Sequence, residues 1–211
     1  MIADEASDPY TLRRAVDWRF YKAIYEVSLH HHGIGSAFSD IEKVSIPFMV
    51  VVTVGLWLLA RPGGSTKWKL AAVSGLGSAA LALGINRLIS SEIWDRERPY
   101  LAHRIAHPWI NSHDPSFPSD HASATFAIAF AVLAFDAVAG GIFLFFALVI
   151  SVGRLFIGAH YPGDVGAGLL VGLASALAIA WLARPVVAVL VRHVQRLTDP
   201  VLAPIWRLRT R

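Results

Sequence analysis

Long apolar runs separated by short polar connections dominate the chain. A helix that crosses a bilayer needs about 20 mostly apolar residues, each adding about 1.5 Å. Five runs meet or approach that length: 44–60, 68–89, 121–135, 138–156 and 165–183. The third is short for a full crossing. Asp136, Gly140 and Gly141 mark a turn between the third and fourth. The flanking segments read differently. In 11–32 and 185–211, arginines and other charges are interspersed with Trp, Val and Leu, the mark of amphipathic helices lying at a membrane interface. The expected architecture is an all-α integral membrane helix bundle of about five transmembrane helices with amphipathic terminal helices. It forms one domain, with an interfacial segment at 1–43, a transmembrane core at 44–184 and a basic tail at 185–211.

Composition sharpens this. Hydrophobic residues make up 55% of the 211 positions and charged residues only 16%, below the usual share in a soluble domain. No cysteine is present, which excludes both a disulfide framework and a thiolate metal site. The sequence is basic, but its arginines gather beside apolar runs and in the tail, so they indicate a membrane flank and not nucleic acid. Arg61, Lys67, Lys69 and six tail arginines share one side of a five-span arrangement, which the positive-inside tendency makes cytoplasmic. The polar N-terminus has no leader pattern. It falls on the opposite, extracytoplasmic side with loop 90–120 and turn 158–164. Trp57, Trp68 and Trp181 near one set of ends, with Trp94 and Trp109 near the other, suit interfacial belts. Small residues one turn apart, such as Gly168 and Gly172, suit close helix packing in lipid.

The unusual polar residues collect on that second side in three clusters. Arg96, Glu97, Arg98 and Pro99 follow the second run. Pro118, Ser119, Asp120 and His121 open the third. Arg154 ends the fourth, followed by His160 and Asp164. Ionisable groups at membrane depth are functional candidates by default. Arginines clamp phosphate oxygens in bidentate fashion, and Ser119 with the start of a helix adds donors where an anion is favoured. Two histidines can divide phosphoryl transfer, one attacking phosphorus and one protonating the departing oxygen. Asp164, four residues past His160, can orient it across the turn.

These clusters resemble the three signatures of the type 2 phosphatidic acid phosphatase superfamily, in its membrane branch: Arg98-Pro99; Pro118-Ser119-Asp120-His121; and Arg154, His160 and Asp164 at the family spacing. The resemblance implies that His160 is the nucleophile, forming a phosphohistidine, that Asp164 orients it, and that His121 is the general acid. It places Arg98, Arg154 and Ser119 on the phosphate. Two positions depart from the pattern. Ser91 stands where the family usually has Lys, and Arg96 is the expected substitute, ahead of Arg87. Gly153 stands where Ser usually precedes the arginine. Asp120, with Trp94 and the paired arginines before Pro99, resembles the bacterial undecaprenyl pyrophosphate phosphatases. This adds Arg96 and Asp120 to the expected phosphate-binding set.

The expected function is hydrolysis of undecaprenyl pyrophosphate to the monophosphate in the inner membrane, at an extracytoplasmic site, without cofactor or metal. A phosphatidate or phosphatidylglycerol phosphate phosphatase is the alternative within this chemistry. A non-enzymatic phospholipid binder or transporter is the alternative outside it, and would need the arginines but not the histidine pair. A zinc site built with Asp114, Asp120 or Asp164 is disfavoured by the neighbouring arginines, which repel a cation. Expected partners are the lipid substrate and membrane lipids.

Overall fold

The computed structural model describes residues 9–105 and 109–209; the polar stretch at 1–8, the loop residue His107 and the last two residues lie outside these. The helices are α1 (Pro9–His30), α2 (His32–Leu59), α3 (Lys67–Glu92), α4 (Pro99–Ala102), α5 (Asp120–Leu133), α6 (Ala137–Phe156), α7 (Pro162–Ala176) and α8 (Arg184–Arg209). A π-helical turn, Leu177–Leu182, prolongs α7. Among the described residues there is no strand. The protein is a multi-pass, all-α membrane bundle.

Among the described residues, four elements are long and apolar enough to cross a membrane: α2, α3, α6, and α7 with its π turn. The fifth expected run forms α5, which has 14 residues and is therefore about 21 Å long. It lies inside the bundle against α3, α6 and α7. A helix sheathed by protein has no need to match the bilayer, because its ends and polar groups meet other helices and not hydrocarbon. Its small side chains allow the close approach. A Cβ on Gly168 would lie 2.8 Å from the Ala122 Cβ, and one on Gly172 would lie 2.8 Å from the Ala127 backbone nitrogen. The α5–α7 contact is thus backbone against backbone, as the Gly168/Gly172 spacing suggested.

At the end away from the polar clusters, Asp136 caps α6 by accepting from Ala139 N, and also accepts from Lys67 Nζ at 2.7 Å and Trp68 Nε1 at 3.0 Å. Lys69 is fully buried and paired with Asp199 of α8 at 2.5 Å. Trp57 Nε1 donates to Thr198 Oγ1. With Val187 and Val191 buried as well, α8 is docked on the bundle. Of the three tryptophans assigned to the belt here, only Trp181 is largely exposed. Trp57 and Trp68 instead serve polar anchors, because their indole N–H groups find partners inside the protein.

The opposite end differs more from the expected pattern. Helix α2 begins at His32, well before the apolar run at 44, because its first three turns carry Ser36, Ser39, Asp40, Glu42 and Lys43 and so do not read as a span. Helix α1 buries Tyr21 and Tyr25 against Tyr161, with Trp18 and Trp109 beside them. Gly35 makes room for the Trp109 ring, and Gly158, at φ +74°, faces Tyr21 and Tyr25. Both helices therefore roof the end of the bundle where the polar clusters converge.

Candidate active site

His160 lies in the turn between α6 and α7 and is 2% exposed. Its Nδ1 meets the Ser116 carbonyl at 2.7 Å. A carbonyl only accepts, so Nδ1 carries the proton and Nε2 presents a lone pair. Burial, then the charges of Arg154 and Arg98, hold the imidazole well below its ordinary pKa, so it is neutral at neutral pH. Nε2 faces Arg154 Nη2 at 3.3 Å and Arg98 Nη1 at 3.5 Å. A neutral imidazole with its free nitrogen between two guanidinium groups is the geometry a nucleophile toward a phosphoryl group needs.

The two arginines are set by different means. Arg98 caps the short α4, ahead of Pro99. Its Nε donates to the Asp114 carbonyl and its Nη1 to the Ala159 carbonyl. Neither contact neutralises its charge. Arg154, in the last turn of α6, donates from Nη1 to Glu42 Oε1 at 2.6 Å. Its buried Nε has no partner among the described residues, and neither does Ser119 Oγ at the N-cap of α5. Buried donors left unpaired are costly; Arg154 lines the cavity beside His160 and can give its Nε to a phosphate oxygen, whereas Ser119 is not among the lining residues. Arg98, Arg154, His160, His121 and Asp120 line one cavity of about 330 Å³, with Glu42 and the loop residues Asn111, Ser112 and Asp114 on its walls.

Asp164 orients His160 less directly than the spacing suggested. Its Oδ2 is 3.7 Å from Nδ1. It accepts instead from Ser116 Oγ and from Tyr161 N, and Ser116 presents its carbonyl to the ring. The carboxylate thus fixes Ser116, and Ser116 fixes the histidine. The Asp164 carbonyl also accepts from Ser119 N, tying the start of α5 to α7.

Two residues are placed otherwise than expected. Arg96 does not reach the cavity. It donates to Asp164 Oδ1 at 2.5 Å and to Asp17 Oδ2 of α1 at 2.7 Å, and its guanidinium lies 3.7 Å from the centre of the Tyr161 ring. It lines a neighbouring groove with Trp18, Trp94 and His103. The buried Asp164 carboxylate draws it there, since a charge in that position needs a counter-charge. Arg96 therefore does not replace the missing family lysine at the phosphate. Ser91 does not either, because its hydroxyl is exposed and donates to the Leu88 carbonyl. Asp120 does line the cavity, but it is bound by Asn86 Nδ2 at 2.7 Å. An ionised carboxylate offers only acceptors, so it forms wall and not phosphate clamp. Gly153 has a steric reason: a Cβ there would lie 2.7 Å from the Phe38 ring.

Sequence reasoning missed Glu42, Ser116, Asn86 and Asp17. Asp17 accepts from Gly163 N at the start of α7 as well as from Arg96.

The bundle brings a buried histidine and two buried arginines together in one cavity at one end. Residues 68–187 match the PAP2 superfamily, and the chain belongs to it. It is 28% identical over 158 residues to the undecaprenyl-diphosphatase BcrC of Bacillus subtilis (strain 168), covering 75% of this chain and 79% of that protein. Two solved structures share the fold. The first transmembrane PAP2-type phosphatidylglycerolphosphate phosphatase from Bacillus subtilis matches with a TM-score of 0.59 at 16% identity, over 82% of this chain and 87% of its own. LpxE of Aquifex aeolicus matches with a TM-score of 0.54 at 20% identity, over 76% and 92%.

Proposed function

We propose that this PAP2 enzyme hydrolyses undecaprenyl pyrophosphate to the monophosphate through a phosphohistidine at His160. That it is a hydrolase of lipid phosphates follows from its family. The choice of the isoprenoid pyrophosphate is supported by its similarity to a protein named as an undecaprenyl-diphosphatase. The observation that carries the mechanism is the neutral His160, with Nδ1 tied to the Ser116 carbonyl and Nε2 between Arg98 and Arg154.

In this reading Arg98, Arg154 and Ser119 hold the terminal phosphate. His160 Nε2 attacks its phosphorus, and the bond to the bridging oxygen breaks. His121 gives its proton to that oxygen, releasing the lipid monophosphate. Water then attacks the phosphohistidine, His121 takes a proton from it, and phosphate leaves with both histidines restored. The guanidinium groups stabilise the charge that spreads over the equatorial oxygens. Asp164 and Arg96 act through Ser116 as positioning residues. In this reading the end bearing α8, with Arg61, Lys67, Lys69 and the basic tail, faces the cytoplasm, and the site end faces away from it in the inner membrane.

Phosphate release from undecaprenyl pyrophosphate, phosphatidate and phosphatidylglycerol phosphate tests this, with purified wild type and His160→Ala. Release from the pyrophosphate, abolished by the substitution, is expected. Release from the glycerolipids alone would reassign the substrate, and release from none would leave only lipid binding.

A further inference from the structure

Glu42 sits on α2, outside the residues that match the family. Its carboxylate stands in the cavity 2.6 Å from Arg154 Nη1 and 3.9 Å from His121 Nε2. Among the described residues it is the one carboxylate paired with Arg154. Its side chain is 24% exposed, whereas that of Arg154 is 3% exposed, so the acid is the partner with freedom to move. An acidic group is unexpected at a site for a polyanion, because it occupies the guanidinium edge that a phosphate oxygen would use.

We infer that Glu42 is a resident counter-ion of the phosphate site, held by Arg154 in the resting enzyme and displaced toward His121 by the incoming phosphate. The inference rests on the reading of this cavity as a phosphate site. Two buried guanidinium groups repel one another without an anion between them. The carboxylate balances them and keeps Arg154 extended into the cavity. A phosphate carries more charge and more acceptor oxygens than a carboxylate, so it prevails for the planar fork of Arg154. Both anions cannot share one Nη1 edge without strong repulsion. Once displaced, Glu42 finds its nearest donor in His121 Nε2. A carboxylate there stabilises the protonated imidazole, the form that must supply a proton to the leaving oxygen. One side-chain movement thus frees the clamp and sets the acid.

The consequence has a definite sign. If Glu42 competes with phosphate, removing its charge tightens anion binding while slowing turnover. If it only props Arg154, its removal weakens both. The probes are inorganic orthovanadate and inorganic phosphate, as inhibitors of lipid pyrophosphate hydrolysis and as ligands that raise the melting temperature of the detergent-solubilised protein. Glu42→Gln is expected to bind vanadate about tenfold more tightly than wild type, the loss of one competing charge-assisted contact, with kcat reduced. Glu42→Asp, which keeps the charge but withdraws it from Arg154, should fall between the two, and it serves if the glutamine variant does not fold. Unchanged or weaker vanadate binding in both variants overturns the role of Glu42 and leaves the phosphate site intact. A wild type that binds neither anion overturns the site itself, and this inference with it.

Discussion

Replacing Arg96 with glutamine separates positioning from substrate binding. The Asp164 carboxylate is fully buried, and Arg96 is its one cationic partner among the described residues at hydrogen-bond distance. Glutamine can keep one hydrogen bond but not the charge. Breaking a buried pair on one side costs about 3 to 5 kcal/mol. The cost falls first on Asp164 and then, through Ser116, on the ring of His160. A misplacement of about 1 Å at the nucleophile slows attack by about 100-fold. Since Arg96 lies outside the cavity, KM should change little and kcat should carry the loss. Asp17→Asn, which leaves the Arg96–Asp164 pair in place, should cost about 1 kcal/mol, near fivefold in kcat. The double variant should lose less than the sum, because both act on one network. The assay is steady-state phosphate release, with melting in detergent measured alongside. A large rise in KM with kcat preserved would refute the reasoning and return Arg96 to the substrate.

Three further outcomes follow from the same geometry. Gly172→Val drives side-chain atoms into the α5 backbone and should cost 3 kcal/mol or more (about the upper end for overpacking), lowering the melting temperature. Gly166→Val, where a Cβ meets nothing within 4 Å, should melt like wild type. His160 is held neutral in the fold by burial and by Arg154 and Arg98, whereas in the unfolded chain it gains a proton below about pH 6.5. Its contribution to stability is therefore constant above that pH and lost as pH falls below it. The melting temperature of wild type should drop relative to His160→Asn between pH 7 and pH 5, and parallel curves would contradict this. A cavity lined by Arg98 and Arg154 repels a divalent cation, so activity should survive EDTA. Loss restored by zinc or magnesium would contradict it.

The three polar clusters were legible because each stands at the end of an apolar run, where charge has no packing role. In an antiparallel bundle those ends share one level. Arg98, Arg154, His121 and His160 accordingly meet in one cavity. Glu42 was not legible. It lies between Asp40 and Lys43, an exposed ion pair at i,i+3, and reads as part of a solvated surface. Its partner Arg154 is 112 positions away. Ser116 acts through its carbonyl as much as its hydroxyl, and backbone chemistry leaves no mark on residue type. Arg96 shows a limit of counting arginines: two residues from Arg98, it falls on the other side of the Asp164 carboxylate, held there by Asp164 and by Asp17 of α1, partners 68 and 79 positions away. The roof formed by α1 and the start of α2 was hidden for a related reason, since aromatic and charged residues mixed at no clean period resemble an interfacial helix.

The central claim is a covalent phosphohistidine at His160. The direct measurement is rapid quenching of the enzyme during turnover of undecaprenyl pyrophosphate labelled with ³²P in its terminal phosphate, followed by peptide mapping under alkaline conditions. An acid-labile, alkali-stable label on the peptide that carries His160, absent in His160→Ala, is predicted. Sustained turnover with no label on the protein at any quench time, or with His160→Ala as active as wild type, would contradict it.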